Sequence, residues 1–150
     1  MNYYYSYDEF ISDCVKLTKI IDWEFDAIVC IARGGLSLAH ILGKYYNIRE
    51  VYAINTIGYE NMTKLDQVTL FNIPDLKNTK RVLVVDDIVD SGDTMKLVLD
   101  TLKKRYPSCE FRSVALFYKK TAVMKPDWYV KEADTWVDFF WAVDMQRVKS

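Results

Sequence analysis

From Tyr7 to Ile21, apolar side chains recur at intervals of three and four: Phe10, Cys14 with Val15, Leu17 and Ile21, with Thr18 beside them. That period predicts a helix over residues 7–21. Residues 27–31 are almost wholly apolar, which suits a strand covered on both faces. Arg33-Gly34-Gly35 follows as a turn, residues 36–46 read as a second helix, and residues 50–56 as a strand. Residues 58–74 are polar and weakly patterned, the mark of a functional or disordered loop, or a hairpin. Residues 81–85 form the strongest strand. Residues 95–106 read as a helix, with Leu97, Val98 and Leu102 on one side and a basic end at Lys103, Lys104 and Arg105. Residues 111–118 read as another strand, residues 128–130 as a short one, and residues 135–141 are aromatic and apolar.

Strand and helix alternate, which predicts an α/β fold with a central parallel sheet and helices on both faces. Right-handed crossovers gather the loops that follow strands along one edge, where open α/β sheets bind ligands. No repeat or linker divides the 150 residues, so residues 1–150 are expected to form a single domain.

Composition narrows the functional classes. With 51% hydrophobic and 27% charged residues the chain is globular rather than disordered. A net charge of −1 argues against bulk electrostatic binding of nucleic acid but allows a small, locally bound anion. The three cysteines, Cys14, Cys30 and Cys109, are scattered, match no metal-ligand spacing, and read as packed, reduced thiols. The first ten residues lack the basic start and apolar run of a signal peptide, and no apolar stretch has the length of a membrane span. A soluble, cytoplasmic protein is expected. The single histidine, His40, falls inside the second helix and reads as packed or surface. Tyr3-Tyr4-Tyr5 carries no assignable chemistry.

The chemistry concentrates at Val82-Leu83-Val84-Val85-Asp86-Asp87-Ile88-Val89-Asp90-Ser91-Gly92-Asp93-Thr94. Four apolar residues make a buried strand with two carboxylates at its C-terminal end, and Asp90–Thr94 opens a helix. A helix N-terminus offers unpaired N–H groups to a phosphate. Gly92 allows close backbone approach, and Ser91 and Thr94 add hydroxyl donors. Asp86 and Asp87 are acceptors suited to sugar hydroxyls or a hydrated divalent cation. Together these describe a ribose 5-phosphate site. The plainer reading, in which Asp90 or Ser91 caps a helix, leaves two further carboxylates unexplained. Arg33-Gly34-Gly35 offers backbone N–H groups and a positive fork to an anion, or is an ordinary turn with a surface arginine. Lys119 closes a strand, where it can donate to a purine 6-oxo group or form a surface pair with Lys120. Trp136 offers a face for stacking on a flat base, or is core.

Residues 84–94 resemble the phosphoribosyl pyrophosphate (PRPP) signature of the type I phosphoribosyltransferases. The likeness extends through Arg33-Gly34-Gly35, similar to that family's pyrophosphate loop, and Phe117-Tyr118-Lys119, similar to its base-recognition lysine segment. Asp134-Thr135-Trp136-Val137-Asp138 resembles the bacterial xanthine–guanine branch. The resemblance implies the type I fold with a small C-terminal hood, and a cis peptide between Ala32 and Arg33. It implies PRPP contacts at Arg33, Gly34, Asp86, Asp87, Asp90, Ser91, Gly92, Asp93 and Thr94, with magnesium at Asp87. It places the purine against Asp90, Lys119, Trp136 and the Val137 backbone, with Asp90 as the catalytic group. Residues 58–71 would be a loop closing over PRPP, with Gly58-Tyr59 in place of the Ser-Tyr common in purine enzymes and Lys64 as its basic candidate. Asp144 takes no metal role, because residues 141–144 carry an insertion relative to that branch. The implied activity is purine salvage: a 6-oxopurine (xanthine, guanine or hypoxanthine) plus PRPP gives a nucleoside 5′-monophosphate and pyrophosphate. A symmetric homo-oligomer, dimer or tetramer, is implied with it. Two rivals stand beside this reading: a transferase for another nucleobase, and a regulatory protein that senses PRPP without catalysis.

Overall fold

The computed structural model describes residues 2–57 and 68–149. The elements run β1 (Tyr3–Tyr5), α1 (Tyr7–Ile20), β2 (Ala27–Ala32), α2 (Leu36–Tyr45), β3 (Val51–Ile57) and β4 (Thr69–Phe71). After these come β5 (Arg81–Val89), α3 (Asp93–Arg105), β6 (Glu110–Tyr118), β7 (Trp128–Glu132), β8 (Val137–Phe139) and α4 (Phe140–Val143). A 3-10 turn over Met145–Lys149 ends the described chain. No helix of the described residues is long and apolar enough to cross a membrane.

Six strands form the main sheet in the order β4-β3-β2-β5-β6-β7, parallel except where β4 meets β3. Alternation explains how each central strand serves two cores. Ile28 and Cys30 of β2, with Leu83 and Val85 of β5, face Phe10, Cys14 and Leu17 of α1 and Leu38 and Leu42 of α2. Val29, Ile31, Val82 and Val84 face Met95, Val98 and Leu102 of α3. Each such fully buried side chain contributes about 1.5–3 kcal/mol of transfer free energy, enough to hold β5 rigidly at the centre.

Several expectations shift. Asp86 and Asp87 lie within β5, not beyond it, because β5 runs on to Val89. Pairing with β2 stops at Cys30↔Val85, whereas β6 continues alongside to Val89↔Tyr118. In α1 the inward positions are Phe10, Asp13, Cys14 and Leu17, and Val15 is half exposed. The helical period favours Asp13 over Val15 at that place, and Asp13 is tolerated there because Tyr5 and Lys131 partner it. In α3 the buried partner of Val98 and Leu102 is Leu99, and Leu97 turns outward. Ser6 caps α1 by accepting a hydrogen bond from the Glu9 N–H at 3.1 Å. The tyrosine run, unassigned from sequence, is a strand: β1 pairs parallel with β8 in a separate two-stranded sheet. Cys14 and Cys30 are buried and Cys109 is half-buried, all without disulfides. Burial pushes the thiols of Cys14 and Cys30 up to about 12 and about 11. His40 is exposed on α2. Gly58, Tyr59 and Lys64 lie outside the described residues.

Candidate active site

Two cavities open beside the C-terminal half of β5. The first, about 250 Å³, is lined by Gly34, Asp86, Asp87, Asp90, Ser91, Gly92 and Thr94, with Thr56 from β3. The second, about 330 Å³ and mainly apolar, is lined by Asp87, Ile88, Asp90, Lys119, Trp136, Val137 and Phe139 among others. Asp87, Ile88 and Asp90 belong to both, so a ligand with a polar half and a flat apolar half can span them.

The first cavity is built by a close approach of the loop after β2 to the C-terminal half of β5. An added Cβ on Gly34 would stand 2.5 Å from the Asp87 carboxylate and displace it, and one on Gly35 would stand 2.5 Å from the Val85 carbonyl, which cannot move aside. The Ala32–Arg33 peptide, where the resemblance places a cis bond, is cis. Gly92 has φ 85° and precedes α3 directly, a conformation that glycine adopts without steric cost. With Gly92 as N-cap, α3 has no side-chain cap, so Asp90 is not spent on that task. The Ser91 hydroxyl accepts from the Asp93 N–H at 3.2 Å, which tightens the turn. The remaining first-turn N–H groups of a helix lack intrahelical partners and favour an anion.

Asp86 and Asp87 carry the site's electrostatic tension. Each turns one oxygen onto backbone: Asp86 Oδ1 accepts from the Asp87 N–H at 2.8 Å, and Asp87 Oδ1 accepts from the Ile88 N–H at 2.7 Å. Burial, then the neighbouring Asp87 charge, pushes the Asp86 carboxyl well above its ordinary range. Burial raises Asp87 as well. No cation neutralises the two carboxylates among the described residues, so hydroxyl donors or a metal ion arriving with a ligand would relieve them.

Lys119 enters from the end of β6, where its N–H donates to the Val89 carbonyl at 3.0 Å. Its ammonium lies 3.0 Å from Asp90 Oδ1. Lys120 instead pairs with Glu132 at 3.3 Å, so Lys119 is the lysine that faces the second cavity. Trp136 is 63% exposed at the cavity wall, which removes the reading of it as core. Trp141 is the aromatic that packs, stacked on Phe139 with centroids 4.8 Å apart. Asp144 accepts from the Tyr4 hydroxyl at 2.9 Å, a structural use.

The structure therefore brings together Gly34, Asp86, Asp87, Asp90, Ser91, Gly92 and Thr94 in one cavity, and Asp87, Asp90, Lys119, Trp136 and Val137 in the other. Arg33 is exposed and Asp93 half-buried, and neither lines the first cavity, although their neighbours do. Sequence reasoning missed Thr56, Phe139 and the supporting strand β1. Only β1 carried a local signal, its tyrosine-rich β propensity.

Residues 4–147 match the phosphoribosyl transferase domain family. The chain belongs to that family. A xanthine-guanine phosphoribosyltransferase of Cereibacter sphaeroides is 33% identical over 128 residues, 82% of this chain and 72% of that one. Its counterpart from Idiomarina loihiensis is 29% identical over 129 residues, covering 84% of this chain and 76% of the relative. Among solved structures, the Helicobacter pylori xanthine-guanine-hypoxanthine phosphoribosyltransferase superposes with TM-score 0.90 at 39% identity, covering 99% of both chains. A purine phosphoribosyltransferase from Pyrococcus horikoshii superposes with TM-score 0.80 at 27% identity over 93% of both. The architecture is thus the type I phosphoribosyltransferase fold, with a mainly parallel sheet and a C-terminal hood made by β8 and α4.

Proposed function

We propose that this phosphoribosyltransferase joins a 6-oxopurine (xanthine, guanine or hypoxanthine) to the ribose 5-phosphate of PRPP, releasing pyrophosphate. The observation that carries this reading is the pair of adjoining cavities, one polar and acidic, one apolar and aromatic-walled, with Asp87, Ile88 and Asp90 at their junction. The similarity to enzymes named for xanthine, guanine and hypoxanthine supports the same substrates. The chain as a whole serves as one catalytic domain.

The 5-phosphate is assigned to Ser91, Gly92, Asp93 and Thr94 at the start of α3, where backbone N–H groups and two hydroxyls converge. Asp86 and Asp87 orient the ribose by accepting from its hydroxyls. Their hard oxygen donors also fit magnesium, which keeps several waters and needs few protein ligands; Asp87 is the assigned ligand. When bound, magnesium would supply positive charge to the departing pyrophosphate. Arg33, exposed and without an ion-pair partner among the described residues, is assigned with Gly34 to the same pyrophosphate. The purine lies between Trp136 and Ile88, with its 6-oxo group on Lys119 and its far edge on the Val137 backbone.

Asp90 acts on the proton. Lys119 pairs with it at 3.0 Å. A 6-oxo group that takes the lysine's hydrogen bond frees Asp90 to accept the ring N–H proton as that nitrogen attacks the sugar carbon. Bond breaking at that carbon passes through an oxocarbenium-like state, so no enzyme nucleophile is required. Positioning and charge placement do the catalysis. A homo-oligomer, dimer or tetramer, belongs to the same reading, and sedimentation would size it.

Lys119→Met tests the base assignment. The Michaelis constant for 6-oxopurines should rise about 10-fold or more while that for PRPP stays put, because a buried acceptor loses its donor. Equal effects on both substrates would remove Lys119 from the base site.

A further inference from the structure

The second cavity has a wall with an unusual support. β8 presents Trp136 at its entry and Val137 and Phe139 along its length. Yet β8 is not hydrogen-bonded into the six-stranded sheet. Its ladder partner among the described residues is β1 alone, in the register Tyr3↔Val137 to Tyr5↔Phe139. The Tyr3 N–H donates to the Trp136 carbonyl at 2.9 Å. Whatever fixes β1 therefore fixes the wall.

β1 is held on both faces. On one, Tyr4 donates to Asp144 at 2.9 Å, and the Arg147 guanidinium lies 5.4 Å from the Tyr4 ring centroid. On the other, Tyr5 is fully buried edge-on against Phe117 and Phe139, and its hydroxyl donates to Asp13 Oδ2 at 2.7 Å. The Tyr3 hydroxyl donates to Glu9. Asp13 is 1% exposed and Glu9 about one third, and both are carboxylates of α1. A single cation from the main sheet holds the two together: Lys131 Nζ of β7 stands 2.8 Å from Glu9 Oε2 and 3.2 Å from Asp13 Oδ2. Lys16 adds a weaker, exposed contact to Asp13 at 3.6 Å.

We propose that Lys131, with Glu9, Asp13 and Tyr5, is a positioning device that sets the Trp136–Phe139 wall of the base cavity through β1. The chain of contacts is continuous: the edge strand β7 anchors the ammonium, the ammonium clamps two carboxylates of α1, the carboxylates take two tyrosine hydroxyls, and β1 carries the wall. None of the four side chains touches the cavity, so their effect is on the placement of the base and not on PRPP. This rests on the assignment of the second cavity to the purine. A buried carboxylate stripped of its cation is strongly disfavoured, so loss of Lys131 loosens β1 rather than simply deleting one contact.

The test uses the full-length enzyme with Lys131→Met, Lys131→Arg and the milder Tyr5→Phe. For Lys131→Met, the Michaelis constant for the purine should rise about 10-fold to 100-fold, the cost of a small misplacement. The constant for PRPP should stay within about twofold, and Lys131→Arg should restore most of the loss by keeping the charge. Tyr5→Phe should move the same constant in the same direction by less. Hydrogen exchange at the amides of residues 137–139 should quicken in Lys131→Met while exchange in β5 does not. Equal shifts for purine and PRPP, or unchanged exchange over residues 137–139, overturn the proposal. A wild-type enzyme inactive with every 6-oxopurine overturns the substrate assignment alone, and the exchange comparison then decides the positioning role by itself.

Discussion

The role proposed for Asp90 makes two demands at one position. The side chain must be charged to take a proton, and it must not be consumed by the helix that begins beside it. Gly92 resolves the conflict by making the N-cap without a side chain, and Lys119 pairs with the carboxylate at 3.0 Å. Asp90→Asn should lower kcat by about 10²-fold or more, the ordinary worth of a positioned base, with little change in PRPP affinity. Steady-state kinetics check this; near-normal turnover would remove the proton-transfer role. Asp86 illustrates the opposite economy. Its carboxyl titrates well above its ordinary 3.8 because it is buried beside Asp87. The folded state binds the proton more tightly than the unfolded one, so the carboxyl costs stability progressively as pH rises from 3.8 towards the folded pKa. Asp86→Asn keeps an oxygen for the Asp87 N–H and removes the charge. At neutral pH it should raise the ligand-free melting temperature, by ~2–4 °C for each kcal/mol recovered, and weaken PRPP binding. A lower melting temperature would contradict the assigned tension.

Elements were legible from sequence in proportion to how locally they are determined. The strand and helix order, the β5 run and the turn at Gly34 and Gly92 all follow from periodicity and glycine chemistry. β5 runs past the end that its apolar residues predict, because β6 pairs alongside Asp86 and the residues that follow. The buried face of α1 includes Asp13, which the apolar pattern does not predict, because its burial depends on Tyr5 and on Lys131, 118 positions later in the chain. β1 has tyrosine-rich β propensity as its only local signal, because its partner β8 lies at the other end of the sequence. The site residues on β5 and α3 were visible as one contiguous motif. The division into two cavities required the fold, which also pairs Lys120 with Glu132 and leaves Lys119, the lysine the resemblance names, at the second cavity. The clamp on β1 has its own pH signature. Burial acts to raise Glu9, but hydrogen bonds from Lys131 and Tyr3 outweigh it and hold the carboxyl below its ordinary 4.5. Burial acts to lower Lys131, and Glu9 with Asp13 outweigh it, holding the ammonium above 10.5. The Glu9 contribution is therefore full above 4.5 and lost as pH falls through its folded value. The Lys131 contribution is full below 10.5 and lost as pH rises through its folded value. Thermal melts across pH should show a shallower acid limb in Lys131→Met than in the wild type. Identical acid limbs would show that the clamp contributes no stability.

At the scale of the molecule, the two cores hold β5 as a fixed axis, and function gathers where β5 outruns its neighbour β2. In the proposed function, the loop at Gly34 and the start of α3 bring phosphate and sugar chemistry to one side, and the hood brings an aromatic wall to the other. Burial makes charge on the acidic pair costly, and in the proposed function a substrate carrying hydroxyls and a metal ion would offset that cost. The direct test of this account is product formation from PRPP, magnesium and one base at a time: hypoxanthine, guanine, xanthine, adenine, uracil and orotate. The account predicts nucleoside 5′-monophosphate and pyrophosphate from the 6-oxopurines, with adenine and the pyrimidines inert. Preference for adenine or a pyrimidine would contradict the assignment of Lys119 and Trp136. PRPP binding without product from any base would make the protein a sensor and not a transferase.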